Sequence, residues 1–212
     1  MDTLLRGILP LVIVSSCIFV VLIIGELIRL KQRRVTEFQR KFIHILVGSF
    51  IATWPWYLDW WQIQLMSVAF VVIVLFSQHL KIFRSIFGIQ RHTWGEVLFG
   101  SVVGILTLLT NDPMVFAVAM LHMSVADGFA ALFGIKFGRH TQYRVFGNVK
   151  SVVGTVSFFA ISVGILTLYS TLGTPLSIAH LLELSLLVTL LENVGVRGFD
   201  NILVPVAIAL VL

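Results

Sequence analysis

The sequence predicts an all-α integral membrane protein, a polytopic bundle of seven full transmembrane helices with a short or partial eighth. Hydrophobic residues make up 58% of the 212-residue chain, charged residues only 12%, and the mean hydropathy is +1.01. These values exclude an ordinary soluble domain. The apolar residues fall into separate runs, most of them about 17 to 25 residues long, as a spanning helix requires. No shift in composition divides the chain, so residues 1–212 are predicted to form one domain.

The predicted spans follow one another with short loops between them. In chain order, the seven full runs cover residues 8–28, 42–58, 61–80, 94–110, 113–134, 151–172 and 176–194. The last run, residues 201–212, would rise about 18 Å at about 1.5 Å per residue, too little for a full crossing. The first run is longer than the core of a signal peptide and lacks a clear cleavage site, so we expect it to be retained.

Basic residues are confined to alternate loops. If residues 29–41 are cytoplasmic, every other Lys and Arg except Arg6 falls on that side too. The excess of cations therefore predicts an N-terminus outside, and any active site built from these residues would lie on the cytoplasmic side. The same placement argues against nucleic acid as a partner, because the cations lie between hydrophobic runs. The single cysteine, Cys17, excludes a disulfide framework and a cysteine-based metal site. The cytoplasmic cations beyond the first loop are Lys81, Arg84, Arg91, Lys136, Arg139, Arg144, Lys150 and Arg197.

A carboxylate inside an apolar run needs a physical reason. Asp127 lies 14 residues after Pro113, which places it about 9 Å short of the cytoplasmic edge of a hydrocarbon core about 30 Å thick. A charge at the bilayer centre costs about 2.5 to 3.5 kcal/mol, so we expect Asp127 to face an aqueous cleft. Ala131, Gly134 and Gly138 follow on the same helical face and would permit close approach of a backbone or a ligand. Helix packing is the alternative interpretation of this stripe.

The next loop and the start of the following span combine cations with glycines. Lys136, Arg139 and Lys150 can neutralise phosphate oxygens. A helix that begins near Ser151 would add its dipole, and Gly154 would expose backbone N–H groups. The sequence therefore predicts a phosphate site here. A basic loop that only obeys topology would explain the charges, but not the run KSVVGT.

Two further polar groups are predicted at the same membrane face. The run RKFIH places Arg40, Lys41 and His44 at the start of the second span, and Glu96 stands at the start of the fourth. Each group has a structural alternative, because juxtamembrane cations are common and a helix N-terminus favours an acid.

The last cytoplasmic turn is rich in oxygen-bearing side chains. Glu192, Asp200 and Asn201 surround it, and oxygen ligands are those that Mg²⁺ prefers. Turn and capping roles are the alternative for these residue types. The polar groups of the chain thus fall within about two helical turns of one membrane face, under a topology derived without them. This one-sided convergence of acids and cations predicts a binding site.

The motifs that carry these residues resemble a known group. DGFAALFGIKFG followed by KSVVGTVSFF resembles the D-x-x-A-x-x-x-G-x-x-x-G and K-S-x-x-G-T-x-x-F pair of the membrane-embedded CTP-dependent lipid kinases. That group includes dolichol kinase, phytol kinase and CTP-dependent diacylglycerol kinase. RKFIH is similar to its R-K-x-x-H motif, GEVLFG to its G-E-x-x-x-G element, and FDNILVP to its D-N-x-x-x-P ending. The resemblance covers residues 40–205.

The resemblance implies transfer of the γ-phosphoryl group of CTP to the hydroxyl of a membrane isoprenoid alcohol, assisted by Mg²⁺. Asp127, with Glu192 or Asp200, would hold the metal. His44 or Glu96 would accept the proton of the alcohol. The nucleotide would be held by Arg40, Lys41, Lys136, Arg139, Lys150, Ser151, Gly154 and Asn201, of which Lys150 would also act in catalysis.

Other functions would use the same residues differently. In a CDP-lipid synthase of the phosphatidate cytidylyltransferase type, a lipid phosphate attacks the α-phosphorus of CTP; here NVKSVVGT lacks the paired lysines of that enzyme's motif. A transporter would need polar residues that reach both faces, and a purely structural subunit would tolerate Asp127→Asn. Polyprenol, dolichol, phytol and diacylglycerol remain open as acceptors. An oligomer is compatible with the sequence, but no motif supports one.

Overall fold

The fold is that of a computed structural model, which describes residues 2–32, 37–80 and 94–212. Besides α-helices, it contains a 3₁₀ turn at Trp54–Trp56 and a π-helical turn at His122–Ala126. The predicted all-α class is confirmed, with one added β-hairpin formed by β1 (Gln142–Val145) and β2 (Asn148–Ser151). The predicted loop cations Lys81, Arg84 and Arg91 lie outside the described residues. The helices are α1 (Asp2–Gln32), α2 (Glu37–Ala52), α3 (Trp60–Leu80), α4 (Gly95–Leu109), α5 (Pro113–Leu121), α6 (Asp127–Phe137), α7 (Val152–Leu172), α8 (Ile178–Val194) and α9 (Asp200–Val211).

Four segments of the described chain are long and apolar enough to cross a membrane: Gly7–Ile28, Trp60–Ser77, Pro113–Phe137 and Val152–Leu172. Seven full spans were predicted. The helices at the other three positions, α2, α4 and α8, have 16, 15 and 17 residues, and α9 has 12. They are shorter because turns take residues from their ends, as where Pro55 follows α2 in a 3₁₀ turn.

The segment Pro113–Phe137 forms the centre of the bundle. Within its apolar window 72% of the residues are buried inside the protein, against 11% for Gly7–Ile28. Helices α2, α7 and α9 all pack against it. Its start is fixed by Asp112, whose carboxylate accepts a hydrogen bond from the backbone N–H of Met114 at 2.7 Å. Pro113 occupies the first helical position, where a backbone N–H would have no partner within the helix.

A π-helical turn interrupts this central segment directly before Asp127. His122 within it is fully buried, and both of its ring nitrogens have partners: Nδ1 lies 2.8 Å from the Val118 carbonyl and Nε2 lies 3.0 Å from Ser162 Oγ on α7. A π turn inserts an extra residue and rotates the next part of the helix relative to the part before it. The direction in which Asp127 leaves the helix therefore depends on this turn.

The loop after α6 folds into a β-hairpin, which the sequence prediction did not include. Strand β1 pairs antiparallel with β2, so that Tyr143 lies opposite Lys150. Phe146 and Gly147 form the two-residue turn with φ of +45° and +84°, a left-handed pair that matches the twist of a tight hairpin. The hairpin leads Lys150 directly into the start of α7.

Gly134 on α6 and Gly138 directly after it make room for the start of α7. Ser151 caps α7, because its Oγ accepts the backbone N–H of Gly154 at 3.1 Å. A Cβ added to Gly138 would lie 2.5 Å from that Oγ, and one added to Gly134 would lie 2.8 Å from it. These two members of the small-residue stripe thus serve helix packing.

We expect Gly138→Ala to destabilise the protein by about 1 to 3 kcal/mol, because the new methyl group overlaps Ser151. Gly164→Ala in α7 is the matched control, since a Cβ there meets nothing within 4 Å, and it should be neutral or stabilise the helix by about 0.5 to 1 kcal/mol. Thermal unfolding in one detergent would compare them. Equal midpoints for the two variants would contradict the packing described here.

Candidate active site

Three carboxylates from three helices converge at one end of the bundle. Asp127 begins α6, Glu192 lies in the last turn of α8, and Asp200 begins α9. One oxygen from each lies within 4.8 Å of the others. Asp127 and Glu192 are buried and Asp200 is half-buried. Sequence analysis predicted these three residues as metal ligands, and the fold brings them together.

A tight loop between α8 and α9 sets the position of Asp200. A Cβ on Gly195 would lie 2.7 Å from the Asp200 backbone, so only glycine permits this approach. Arg197 and Gly198 adopt φ values of +56° and +95°. Gly198 in turn packs on Gly95, which joins the start of α9 to the start of α4.

Lys41 on α2 pairs with Asp127. Its Nζ lies 2.5 Å from Asp127 Oδ2, with only 12% and 10% of the two side chains exposed. The approach of α2 depends on glycines, because Gly48 packs directly against Ser124 and Gly128 against Ile45. Without a side chain at these positions, the helices come close enough for the ion pair to form.

Lys150 on β2 pairs with Glu192. Its Nζ lies 2.5 Å from Glu192 Oε1 and 2.9 Å from the backbone carbonyl of the same residue. Burial disfavours the charged ammonium, but the Glu192 carboxylate, with smaller contributions from Asp200 and Asp127, outweighs it and raises the pKa of Lys150. Lys150 therefore carries its positive charge at neutral pH.

A hydrogen-bonded network that sequence reasoning missed holds the hairpin to the bundle. The hydroxyl of Tyr143 on β1 contacts both Thr155 Oγ1 on α7 and Asn193 Oδ1 on α8. Thr155 also donates to Asn193 at 3.1 Å. The network lies beside Glu192 and fixes the strand that faces Lys150. No motif in the sequence marks Tyr143, and the hairpin that positions it was itself not predicted.

His44 and Glu96 line one groove, and His44 also lies beside the carboxylate of Asp127. His44 Nε2 is 3.0 Å from the Met123 carbonyl and 3.6 Å from Asp127 Oδ2. Glu96 on α4 is 3.9 Å from the Arg40 guanidinium. Asn201 donates through Nδ2 to the Gly95 carbonyl at 2.8 Å. Arg40, His44, Glu96 and Asn201 line one groove bounded by α1, α2, α3, α4 and the start of α9, termed the α1–α4 groove.

The remaining predicted ligands lie elsewhere. Lys136 and Arg139 are exposed, and Lys136 lies over the Phe137 ring at 5.0 Å. Among the described residues no ion pair joins either cation to the three carboxylates. Ser151 Oγ is taken up by helix capping, and a Cβ on Gly154 would meet the Ala130 carbonyl at 3.0 Å. Their roles toward phosphate remain predictions.

The three carboxylates fit a divalent cation. Oxygens on opposite sides of Mg²⁺ are about 4.2 Å apart, so a set within 4.8 Å needs only small movements to close on one ion. Asp200 Oδ1 is buried and has no hydrogen-bond partner among the described residues. An orphaned carboxylate oxygen in a buried site is costly unless a ligand satisfies it.

Comparison with known proteins identifies a family and a relative of the chain. A family model described as "Cytidylyltransferase family" matches residues 3–196. Phytol kinase from Synechocystis sp. is 29% identical over 198 residues, which cover 90% of this chain and 84% of the relative. No solved structure matches the chain. The family predicted from the motifs is thereby confirmed.

We expect Lys41→Met to lower the thermal unfolding midpoint far more than Lys136→Met. The first change leaves Asp127 buried without its ammonium partner, which costs about 3 kcal/mol or more. The second removes an exposed cation and should change stability by about 0.5 kcal/mol or less. Thermal unfolding of both variants in one detergent measures the difference. Similar midpoints would mean that the Lys41–Asp127 pair does not form in the protein.

Proposed function

The chain belongs to the cytidylyltransferase family, and from that premise we propose that it is a CTP-dependent kinase that phosphorylates the hydroxyl of a membrane isoprenoid alcohol. The observation that carries the proposal is the cluster of three carboxylates beside two lysines, formed where the bundle also opens into a groove. The likeness to a phytol kinase over 90% of the chain supports this reaction and this class of acceptor. In this proposal the cluster lies at the cytoplasmic face, and α2, α4 and α8 complete seven spans.

Asp127, Glu192 and Asp200 would hold Mg²⁺. The bound ion would neutralise charge on the phosphate oxygens of CTP during transfer. Phosphoryl transfer depends on alignment and on charge neutralisation, so it needs no covalent nucleophile. The protein's own contribution is then a fixed arrangement of carboxylates and cations, which the helix packing supplies.

Lys41 and Lys150 would bind the phosphates of the nucleotide. In the structure each ammonium neutralises one carboxylate, Asp127 and Glu192 respectively. With a divalent cation held by the three carboxylates, the ammonium groups of Lys41 and Lys150 would be available to phosphate oxygens. Exposed cations such as Lys136 and Arg139 would attract the triphosphate toward the site.

His44 is the better candidate for the base that accepts the proton of the alcohol. A carbonyl oxygen can only accept, so the contact with Met123 requires Nε2 of the neutral ring to carry the hydrogen. The other nitrogen, Nδ1, then keeps its lone pair. Glu96 lies 3.9 Å from the Arg40 guanidinium, so its carboxylate already has a cationic partner. Both side chains line the α1–α4 groove.

The purified protein should transfer the γ-phosphate of labelled CTP to phytol in the presence of MgCl₂ and release CDP. Polyprenol, dolichol and diacylglycerol in the same detergent would rank the acceptors, and ATP would test the donor. A CDP-lipid synthase, which the family description also covers, would instead release pyrophosphate from CTP and phosphatidate. No phosphorylated lipid from any alcohol would refute the kinase proposal.

Asp200→Asn should lower kcat by at least about 100-fold, because it removes charge from the carboxylate cluster with little change in shape. Asp59→Asn, in an exposed position before α3, is the matched control and should retain activity. MgCl₂ should raise the unfolding midpoint of the parent protein but not that of Asp200→Asn, since only a bound ligand stabilises the folded state. Equal activity of the two variants would exclude Asp200 from the site.

His44→Gln should lower kcat by about 100- to 10,000-fold and leave the KM for CTP nearly unchanged, as expected for loss of a general base. His140→Gln is the matched control, because His140 is exposed at the end of α6. Steady-state kinetics with phytol would measure both. If Glu96→Gln loses kcat and His44→Gln does not, Glu96 is the base.

A further inference from the structure

The α1–α4 groove extends from the carboxylate cluster into an apolar region that the proposed chemistry does not use. It holds about 560 Å³ of space between the side chains, a volume that includes its opening to the surroundings. Its polar end contains Arg40, His44, Glu96 and Asn201. Apart from Gly95, the rest of its lining consists of the apolar side chains of Leu22, Ile43, Val47, Phe70 and Phe99.

We propose that this apolar region binds the hydrocarbon tail of the acceptor alcohol and places its hydroxyl between His44 and Glu96. The inference rests on the proposed kinase function and deepens it, because it assigns the side chains that select the acceptor. Ile43, Phe70 and Phe99 would contact the tail and so determine which tail shapes and lengths bind.

The polar end of the groove is continuous with the carboxylate cluster. His44 lines the groove and lies 3.6 Å from Asp127 Oδ2. Asn201 lines it as well and follows Asp200 directly in the chain. A hydroxyl at this end would therefore adjoin the groups proposed to hold the phosphates and their metal ion.

Aromatic rings connect the two parts of the groove. The Phe99 ring lies 4.8 Å from the His44 imidazole and 6.1 Å from the Phe70 ring, centroid to centroid. Phe99 is almost fully buried, so its position is fixed by packing. A tail that contacts Phe70 and Phe99 is thus led toward the imidazole.

The chemistry of the lining favours a hydrocarbon over the nucleotide. The apolar side chains of Leu22, Ile43 and Val47 offer no donor or acceptor to a cytosine ring, and they would desolvate a triphosphate without compensation. The second lysine, Lys150, lies on the hairpin beside Glu192. We therefore place the nucleotide on the hairpin side of the carboxylate cluster and the tail on the α1–α4 side.

The groove also lies where a lipid can reach it. One wall is α1, whose apolar window is only 11% buried inside the protein, so this helix stands at the edge of the bundle. Leu27 and Phe38 near the same end are exposed, as expected for side chains in contact with lipid. A tail could pass sideways from the bilayer into the groove without crossing water.

The test fills the groove and compares a long with a short alcohol. Ile43→Trp places a bulky ring in the apolar region, and Ile73→Trp makes the same change on α3 at a side chain that is 54% exposed. KM and kcat would be measured for phytol and for 3-methylbut-2-en-1-ol, which shares the allylic hydroxyl but lacks the long tail. KM for CTP would be measured in parallel.

Ile43→Trp should raise the KM for phytol by about tenfold or more and leave the values for the short alcohol and for CTP within about threefold, because a hydrophobic pocket discriminates at this level. Ile73→Trp should behave as the parent protein. Should Ile43→Trp fail to fold, Phe70→Leu paired with the exposed control Phe76→Leu tests the same wall, with an expected rise of about threefold for phytol only.

The outcomes separate the two proposals. A parent protein that phosphorylates no alcohol overturns the kinase function itself. A parent that is active on phytol, with folded groove variants whose KM for phytol is unchanged, leaves the kinase function standing and overturns the tail site. Equal rises in the KM for CTP and for phytol would assign the groove to the nucleotide and would also overturn the tail-site proposal.

Discussion

Mutual neutralisation of buried charges is the constraint on which the site depends. Asp127 and Glu192 lie where water is scarce, and each would be too costly as an isolated anion. Lys41 and Lys150 meet them at 2.5 Å from other elements of the fold. The pairs therefore tie α2 to α6 and the hairpin to α8. The third acid, Asp200, keeps one buried oxygen without a partner among the described residues, so the cluster holds more acid than its lysines neutralise.

Close helix approach makes these charge pairs possible. Gly48 and Gly128 remove side chains between α2 and the central segment, and Gly195 does the same beside Asp200. In a membrane the lipid tails are as apolar as the protein core, so helices gain little from burying apolar groups and associate mainly by close packing and polar contacts. The small residues around Asp127 thus allow the helices to pack closely, and this packing brings the charged side chains of the site within pairing distance.

Two environments meet at His44. On one side lies the carboxylate cluster, and on the other the α1–α4 groove lined by Phe99 and Phe70. An enzyme that transfers a group from a water-soluble donor to a membrane-soluble acceptor needs such a boundary, since neither reactant is soluble in the other's surroundings. Under the proposed function, the imidazole stands where the two substrates meet.

The sequence by itself determined the helical membrane class, the family, and the side chains that form the cluster, since intramembrane charges such as Asp127 are rare enough to stand out from the apolar background. It did not reveal the hairpin that carries Lys150, because the turn at Phe146 and Gly147 lacks the usual Asn-Gly or Asp-Gly pair, and it did not reveal the π turn before Asp127. The Tyr143 network joins residues 50 positions apart, and such a contact has no local signature in the sequence. The sequence also predicted seven full spans, where length and composition support four among the described residues. Only the tertiary structure decided which lysine pairs with which acid, because the pairing follows from helix packing. Only the tertiary structure revealed the apolar groove beside them, because a cavity has no signature in the local sequence.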